Sequence, residues 1–156
     1  MRDGFVKVAA ATLNTKVADV EHNKWEIFRL IDETIENGAK IVVFPELCIT
    51  GYTCGDLFSQ DILLSQSAKA LEEIAAYTTG KDGLFFVGLP YVVCNKLYNV
   101  AAAVCDGEVI GMVTKTFLPN YSEFYEMRQF QPDLKRQIGF RMGRRDSIWT
   151  ADFICV

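Results

Sequence analysis

The amino-acid sequence predicts an α/β fold, and three observations support this prediction. Apolar residues recur at helical spacing in two long segments, and short continuous apolar runs typical of buried strands lie beside them. An Asp106-Gly107 pair between two β-branched runs is a strong signal for a β-hairpin. No G-x-G-x-x-G or Walker loop occurs, which argues against the alternative, a doubly wound nucleotide-binding fold.

The first part of the chain predicts a β-α-β unit. Alternation over Phe5–Leu13 predicts a strand, and Asp19 is a candidate N-cap for a helix that ends at Gly38. The run Lys40–Phe44 predicts a strand buried on both faces, which ends at Pro45 because proline cannot donate a hydrogen bond to a neighbouring strand. The apolar stripe of the helix is predicted to consist of Trp25, Phe28, Ile31 and Ile35.

The following segments predict a second helix and three further strands. A helix is predicted over Asp61–Thr78, with Glu73 facing water. Leu84–Val93 predicts a buried strand, and Tyr98–Cys105 and Glu108–Thr114 predict the two arms of the hairpin. The apolar stripe of this second helix is predicted to consist of Leu64, Ala68, Leu71, Ile74 and Ala75.

Length and composition limit the classes of protein that fit. The 156 residues make one domain or part of one, and half of them are hydrophobic, which is enough for a substantial core. A net charge of −4 without a basic face makes nucleic acid a poor candidate partner, and no apolar segment is long enough for a signal peptide or a membrane span. An odd number of cysteines without C-x-x-C spacing indicates neither disulfides nor a zinc site, so we expect a cytoplasmic protein without a metal.

Two charged residues at predicted strand ends are candidates for chemistry. Glu46 directly follows the predicted strand and Pro45, and a carboxylate held at the tip of a rigid, dry strand is a candidate general base. Lys115 leaves the last hairpin strand, where a lysine is costly to bury unless it is paired, so we expect a carboxylate partner, with Glu46 as the natural one. The alternatives are an acid that only caps the following turn and a lysine that extends its ammonium to solvent.

Two sequence segments resemble a known superfamily. The string P-E-L-C-I-T-G-Y at residues 45–52 and the string KTFLPNYSEFYEMRQF at residues 115–130 resemble the signatures of the nitrilase, or carbon-nitrogen hydrolase, superfamily. The second string is most similar to the glutaminase domains of glutamine-dependent NAD synthetases, and the resemblance extends from Phe5 to about Phe130. It implies part of a nitrilase-like α-β-β-α sandwich, which in this superfamily is half of a four-layer arrangement usually completed by a second subunit. Members cleave non-peptide C–N bonds with a cysteine nucleophile, a glutamate base and a lysine.

The resemblance assigns roles to four residues. Glu46 is implied to be the base, Lys115 to stabilise charge on the tetrahedral intermediate, and Glu126 to orient the lysine and the substrate. Tyr121 matches a position that contacts glutamine. Considered without the resemblance, Glu126 is also compatible with a solvated helix face, and Tyr121 with a packing role in a turn.

The nucleophile is not evident in the sequence. Cys48 and Cys54 are predicted to be buried structural cysteines, and Cys94 and Cys105 are predicted to belong to strands. Cys155 follows an apolar run, as the nucleophile of the superfamily does, but the acidic and aromatic residues that follow it there are missing. We therefore expect the chain as given to be inactive.

Residues 131–156 differ in character from residues 1–130. The first 130 residues carry 11 Lys and Arg against 17 Asp and Glu, whereas the last 26 carry 5 against 3. One hypothesis is a slip of the reading frame, since codons for residues 143–154 exist that, read one nucleotide later, encode EEEIPFGQQISF, which resembles the glutaminase segment expected there. The alternatives are a real, divergent terminus and a deliberate boundary. The nucleotide sequence distinguishes them.

Our interpretation is the N-terminal part, at residues 1–130, of a glutaminase domain that supplies ammonia for NAD synthesis, followed by the atypical tail 131–156. The resemblance implies glutamine as the substrate, no cofactor for the hydrolase step, and a homo-oligomer when intact. It places ATP, Mg²⁺ and deamido-NAD in a synthetase domain that this chain is expected to lack. Two alternatives stay open: a stand-alone amidase or carbamoylase of the same superfamily, and a non-catalytic α/β interaction domain in which Glu46 and Lys115 form a salt bridge.

Overall fold

The computed structural model describes residues 4–132, and this part of the chain forms one five-stranded sheet with helices. The α/β prediction is confirmed. A short 3₁₀ segment, Tyr52–Ser59, connects the second strand to the second helix. In chain order, the strands and helices are β1 (Val8–Ala10), α1 (Val20–Glu36), β2 (Ile41–Val43), α2 (Asp61–Tyr77), β3 (Leu84–Val93), β4 (Lys96–Cys105), β5 (Glu108–Thr114) and α3 (Glu126–Gln129).

The sheet has the strand order β1-β2-β3-β4-β5 and is mixed. β1, β2 and β3 are parallel, whereas β4 and β5 continue the sheet as antiparallel hairpin arms. The predicted hairpin at Asp106-Gly107 is confirmed, and both residues have positive φ angles, as a type I′ turn requires. A second tight turn, Cys94-Asn95, joins β3 to β4 with φ angles of 47° and 59°. The placement of Cys94 in a strand was wrong, because Cys-Asn is not among the dipeptides that identify such a turn.

Helix α1 begins and ends where the sequence predicts. The side chain of Asp19 accepts a hydrogen bond of 3.0 Å from the backbone N–H of His22, and Gly38 follows the helix with a φ of 81°. The assignment of Trp25 to the buried stripe was wrong. Its indole is exposed, packs edge-on against Phe28 at a centroid distance of 5.3 Å, and lies under the Lys24 ammonium at 5.9 Å.

Helix α2 presents a slightly different face to the core from the predicted one. Leu64 and Ala68 are only half-buried, because the helix is rotated so that Leu63 and Ser67 face inward. The fully buried side of α2 consists of Leu63, Ser67, Ala70, Leu71, Ile74 and Ala75. Glu73, which was predicted to face water, is 37% exposed, and its carboxylate also lies 2.5 Å from the ammonium of the buried Lys24 on α1.

Burial differs sharply between the two faces of the sheet. Side chains such as Val42, Phe85 and Val104 are completely buried in a core that they share with α1 and α2, and these two helices pack against each other. On the opposite face, Val8 is exposed and Val43 has 49% of its surface exposed. The prediction that the second strand is buried on both faces was therefore wrong for the part of the chain that the structure describes. The same part has no helix with the length and apolar character needed to cross a bilayer.

Candidate active site

An ammonium group held between two carboxylates forms the centre of the candidate site. The Nζ atom of Lys115 lies 2.7 Å from Oε1 of Glu46 and 2.9 Å from Oε1 of Glu126. Burial, the largest single influence, lowers the pKa of Lys115, but hydrogen bonds to the two carboxylates outweigh it and raise the pKa above its ordinary value. The predicted pairing of Lys115 with Glu46 is thus confirmed, and Glu126 joins the same cluster.

The turn after β2 presents Glu46 to this cluster. Leu47, which is completely buried, adopts a φ of 51°, a conformation that a residue with a Cβ rarely takes. The turn also packs directly on β3 at Gly88, where an added Cβ would lie 2.5 Å from the backbone nitrogen of Leu47 and 2.8 Å from the carbonyl oxygen of Pro45. Only glycine allows so close an approach of two backbones.

The environment of Glu46 is wetter than predicted. Its side chain has 41% of its surface exposed within the described part of the chain. The prediction that Glu46 lies at a dry strand tip was therefore wrong. β2 ends at Val43, and the chain then turns out of the sheet before it reaches Glu46. The carboxylate is consequently positioned by its hydrogen bonds more than by surrounding apolar groups.

Lys115 lies one residue beyond β5 and keeps the hydrogen-bonding pattern of the strand. Its backbone N–H donates to the carbonyl of Asn99 at 2.8 Å, which fixes the origin of its side chain next to β4. The lysine and the turn after β2 therefore meet at the same end of the sheet, although distant parts of the sequence provide them.

Glu126 lies in the first turn of α3 and has 5% of its surface exposed. This burial rules out the alternative that Glu126 lies on a solvent-exposed helix face. The end of α3 is fixed because the buried ring of Phe130 packs edge-on against Phe58 at 5.0 Å. Oε1 of Glu126 accepts hydrogen bonds from Lys115 and Tyr52, whereas Oε2 is buried without a hydrogen-bond partner among the described residues. The contacts of Glu126 with the cluster are therefore made through Oε1.

Two neutral donors complete the cluster, and the sequence analysis missed both. The phenol of Tyr52 donates to Oε1 of Glu126 at 2.6 Å, and Nδ2 of the buried Asn99 donates to Oε1 of Glu46. Burial and the hydrogen bond to Glu126 raise the pKa of Tyr52, so this phenol stays protonated at neutral pH. An amide inside the otherwise apolar segment L-Y-N-V-A-A-A-V was the available signal for Asn99, because a buried polar side chain requires a partner.

Tyr121, predicted to bind substrate, lies outside the hydrogen-bonded cluster. Its side chain is 67% exposed, and its ring packs edge-on against Phe124 at 5.6 Å. The phenol is still close enough to contribute electrostatically to the raised pKa of Tyr52. Its role in substrate binding stays a prediction.

The four described cysteines are free, and none has the features of a nucleophile. Burial raises the pKa of the Cys48 thiol to about 12, and that thiol donates to the carbonyl of Gly88. Burial also raises the pKa of Cys54, whose thiol donates to the carbonyl of Thr50. Both therefore fit the predicted structural role. Cys94 lies in the exposed turn, and Cys105 lies at the end of β4 that is distant from Asn99.

The candidate nucleophile Cys155 and residues 133–156 of the predicted tail lie outside the described residues. Their predicted properties stay predictions.

Comparison with known proteins identifies the family. The sequence model of the carbon-nitrogen hydrolase family matches residues 7–146. The chain belongs to the carbon-nitrogen hydrolase family.

Carbon-nitrogen hydrolases similar to this chain include glutamine-dependent NAD(+) synthetases. The sequence is 43% identical to the synthetase of Aquifex aeolicus over 127 residues, which cover 81% of this chain and 22% of the relative. It is 34% identical to the synthetase of Mycobacterium tuberculosis over 151 residues, or 97% of this chain and 22% of the relative. The chain thus spans about a fifth of the length of these curated relatives.

Solved structures of carbon-nitrogen hydrolases share the fold. The structure of a glutamine-dependent NAD(+) synthetase from Cytophaga hutchinsonii superposes with a TM-score of 0.77 at 35% identity, covering 81% of this chain and 22% of that one. An amidase from Nesterenkonia superposes with a TM-score of 0.70 at 21% identity, covering 85% of this chain and 49% of that one. At this lower identity the amidase supports only the nitrilase-like fold.

Proposed function

We propose that this chain provides the acid-base half of a glutaminase site, in which glutamine is hydrolysed and the ammonia is passed on for NAD synthesis. The observation that carries the proposal is the position of the Lys115 ammonium between the carboxylates of Glu46 and Glu126. The similarity to glutamine-dependent NAD(+) synthetases supports glutamine as the substrate.

In the first half-reaction, Glu46 accepts the proton of a cysteine thiol, and the sulfur attacks the amide carbon of glutamine. We place this cysteine outside the described residues. The Lys115 ammonium stabilises the negative oxygen of the tetrahedral intermediate, because a fixed positive charge there interacts more strongly with the intermediate than with the neutral amide. Glu46 returns its proton to the leaving nitrogen, which departs as ammonia and leaves a thioester.

In the second half-reaction, Glu46 accepts a proton from water, which attacks the thioester carbon. The intermediate collapses to glutamate, and the proton returns to the cysteine sulfur. Glu126 orients the Lys115 ammonium, and through it the substrate, by the contact of its Oε1 with Nζ, and Tyr121 contacts the glutamine. The hydrolysis needs no metal or cofactor in either half-reaction.

The partners follow from the same assignment. We assign the use of ATP, Mg²⁺ and deamido-NAD to a separate synthetase domain, which receives the ammonia. We also propose that the intact protein is a cytoplasmic homo-oligomer, and the exposed apolar sheet face around Val8 and Val43 supports a partner on that side.

A chimera tests the proposed function. Residues 5–130 of this chain replace the superposed segment of the Cytophaga hutchinsonii synthetase, and NAD formation is measured with glutamine or with ammonia as the nitrogen source. We expect glutamine-dependent formation that falls at least about 100-fold in Glu46→Gln and in Lys115→Met. Ammonia-dependent formation should stay unchanged, because ammonia bypasses the glutaminase site, and it serves as the control for an intact synthetase domain.

Two outcomes would favour the alternatives. If the Glu46→Gln chimera uses glutamine as well as its parent does, the cluster is a structural salt bridge and the interaction-domain alternative is favoured. If the chimera hydrolyses other ω-amides or N-carbamyl compounds in preference to glutamine, the amidase or carbamoylase alternative is favoured.

A further inference from the structure

Asn99 connects the two central charged residues of the cluster. It lies on β4, has 4% of its surface exposed, and is surrounded in the sequence by apolar residues. Its side-chain Nδ2 donates to Oε1 of Glu46, and its backbone carbonyl accepts from the N–H of Lys115. One rigid strand position therefore contacts both Glu46 and Lys115.

Glu46 needs such a contact in order to stay in place. Its side chain is half-exposed and follows a turn, so conformers that extend into solvent compete with the conformer that faces Lys115. The Lys115 ammonium alone favours the inward conformer of Glu46 only weakly, because partly exposed ion pairs contribute little to stability. When Glu46 turns outward, the buried Nδ2 of Asn99 loses this acceptor. The cost of that lost hydrogen bond favours the conformer of Glu46 that faces inward.

In each of the two carboxylates, a single oxygen accepts from two donors. Asn99 and Lys115 both donate to Oε1 of Glu46, and Tyr52 and Lys115 both donate to Oε1 of Glu126. Each carboxylate is thus held by one neutral and one charged donor. The neutral donor fixes the carboxylate independently of the lysine, which must stay free to interact with an oxyanion.

We propose that Asn99 is a positioning residue that holds the Glu46 carboxylate toward Lys115. The catalytic meaning of this role rests on the proposed glutaminase function, but the positioning itself does not require turnover.

Nuclear magnetic resonance on the full 156-residue chain tests the proposal. Asn99→Leu removes the donor but keeps a γ-branched side chain, and Lys115 is followed through the ¹H–¹⁵N signal of its ammonium near neutral pH and through the titration of its ¹³Cε resonance. We expect the signal to be lost to solvent exchange and the pKa of Lys115 to fall toward the ordinary lysine value, because one of its two carboxylate partners leaves. Val104→Ala is the matched control, since it also changes a buried side chain of β4 and leaves the cluster intact.

The outcomes separate positioning from a general structural role. A folded Asn99→Leu variant in which Lys115 titrates as in the parent would overturn the proposal, as would the same titration change in Val104→Ala. Asn99→Ser, which is too short to reach Glu46, provides a second variant if the leucine does not fold. In the parent chain, a scalar coupling through the hydrogen bond from Nδ2 of Asn99 to Cδ of Glu46 is expected, and its absence overturns the proposal whatever the variants do.

Failure of this test and failure of the proposed function are distinguishable. The chimera reports on turnover with glutamine, whereas the resonance experiment reports only on the geometry of Glu46 and Lys115. A positive resonance result with an inactive chimera would keep the positioning and reject the glutaminase role.

Discussion

The Nζ atom of Lys115 lies 2.7 Å from Oε1 of Glu46, although 69 residues separate them in the sequence. The contact exists because the turn after β2 and the end of β5 reach the same end of the sheet. The second carboxylate, on Glu126, lies 2.9 Å from the same ammonium and is buried. Neutralisation of two acids by one lysine makes the cluster sensitive to loss of that lysine.

Removal of the lysine charge should destabilise the fold. In Lys115→Met, the buried Glu126 loses its positive partner, and we expect the free energy of unfolding to fall by about 2 kcal/mol, between the values for exposed and buried ion pairs. Urea unfolding at pH 7 measures this change. The double variant Lys115→Met/Glu126→Gln should recover part of the loss, because no unpaired buried charge remains. A single variant as stable as the parent would contradict this account.

Stability should fall in alkaline solution because of the same cluster. The pKa values of Lys115 and Tyr52 are raised in the folded state, the first through its two carboxylates despite burial and the second through burial and the hydrogen bond to Glu126. Both groups release their protons more readily in the unfolded chain. Their contribution to the free energy of unfolding is therefore complete below about pH 10, the ordinary pKa of tyrosine and lysine. It is lost as the pH rises through the pKa values of the folded state.

Urea unfolding between pH 9 and pH 11 checks this dependence. The free energy of unfolding should decrease over that interval, and the decrease should be smaller in Tyr52→Phe, which has no phenol to titrate. An equal decrease in Tyr52→Phe and the parent would show that this tyrosine does not contribute.

Local patterns predicted the secondary structure well where one strong signal dominated. The Asp19 cap, the strand Leu84–Val93 and the hairpin at Asp106-Gly107 all depend on short-range chemistry that the sequence displays directly. The turn Cys94-Asn95 was missed because only Asn is a usual residue for its backbone conformation.

The site could be predicted only in part. Glu46 and Lys115 were found because a charged residue at the end of an apolar run is conspicuous. Asn99 and Tyr52 were missed because their contacts depend on strand register and on the packing of α3, which no local pattern encodes. The predicted burial of Glu46 and Val43 was wrong for a related reason, since an apolar strand does not reveal how many of its faces are covered.

The thiols should differ widely in reactivity. Cys94 is exposed in a turn, whereas the Cys48 thiol is buried, and burial raises its pKa to about 12. Because the thiolate is the reactive form, iodoacetamide at pH 8 should modify Cys94 rapidly and Cys48 only after unfolding. Peptide mapping by mass spectrometry, with a urea-unfolded sample as the control, measures both. Rapid modification of Cys48 in the folded chain would contradict its burial.

The close packing of β3 on the turn that carries Glu46 gives the sharpest prediction. In Gly88→Ala, the new methyl group would lie 2.5 Å from the nitrogen of Leu47 and 2.8 Å from the carbonyl oxygen of Pro45, and these backbone atoms can move only if the whole turn moves. We expect a loss of about 1–3 kcal/mol in urea unfolding and a weakened Glu46–Lys115 contact, seen as a fall in the pKa of Lys115. Gly111→Ala on β5 is the matched control, because no atom lies within 4 Å of its added Cβ, and its effect should stay within about 0.5 kcal/mol. Equal effects of the two substitutions would show that close approach at Gly88 does not position the turn.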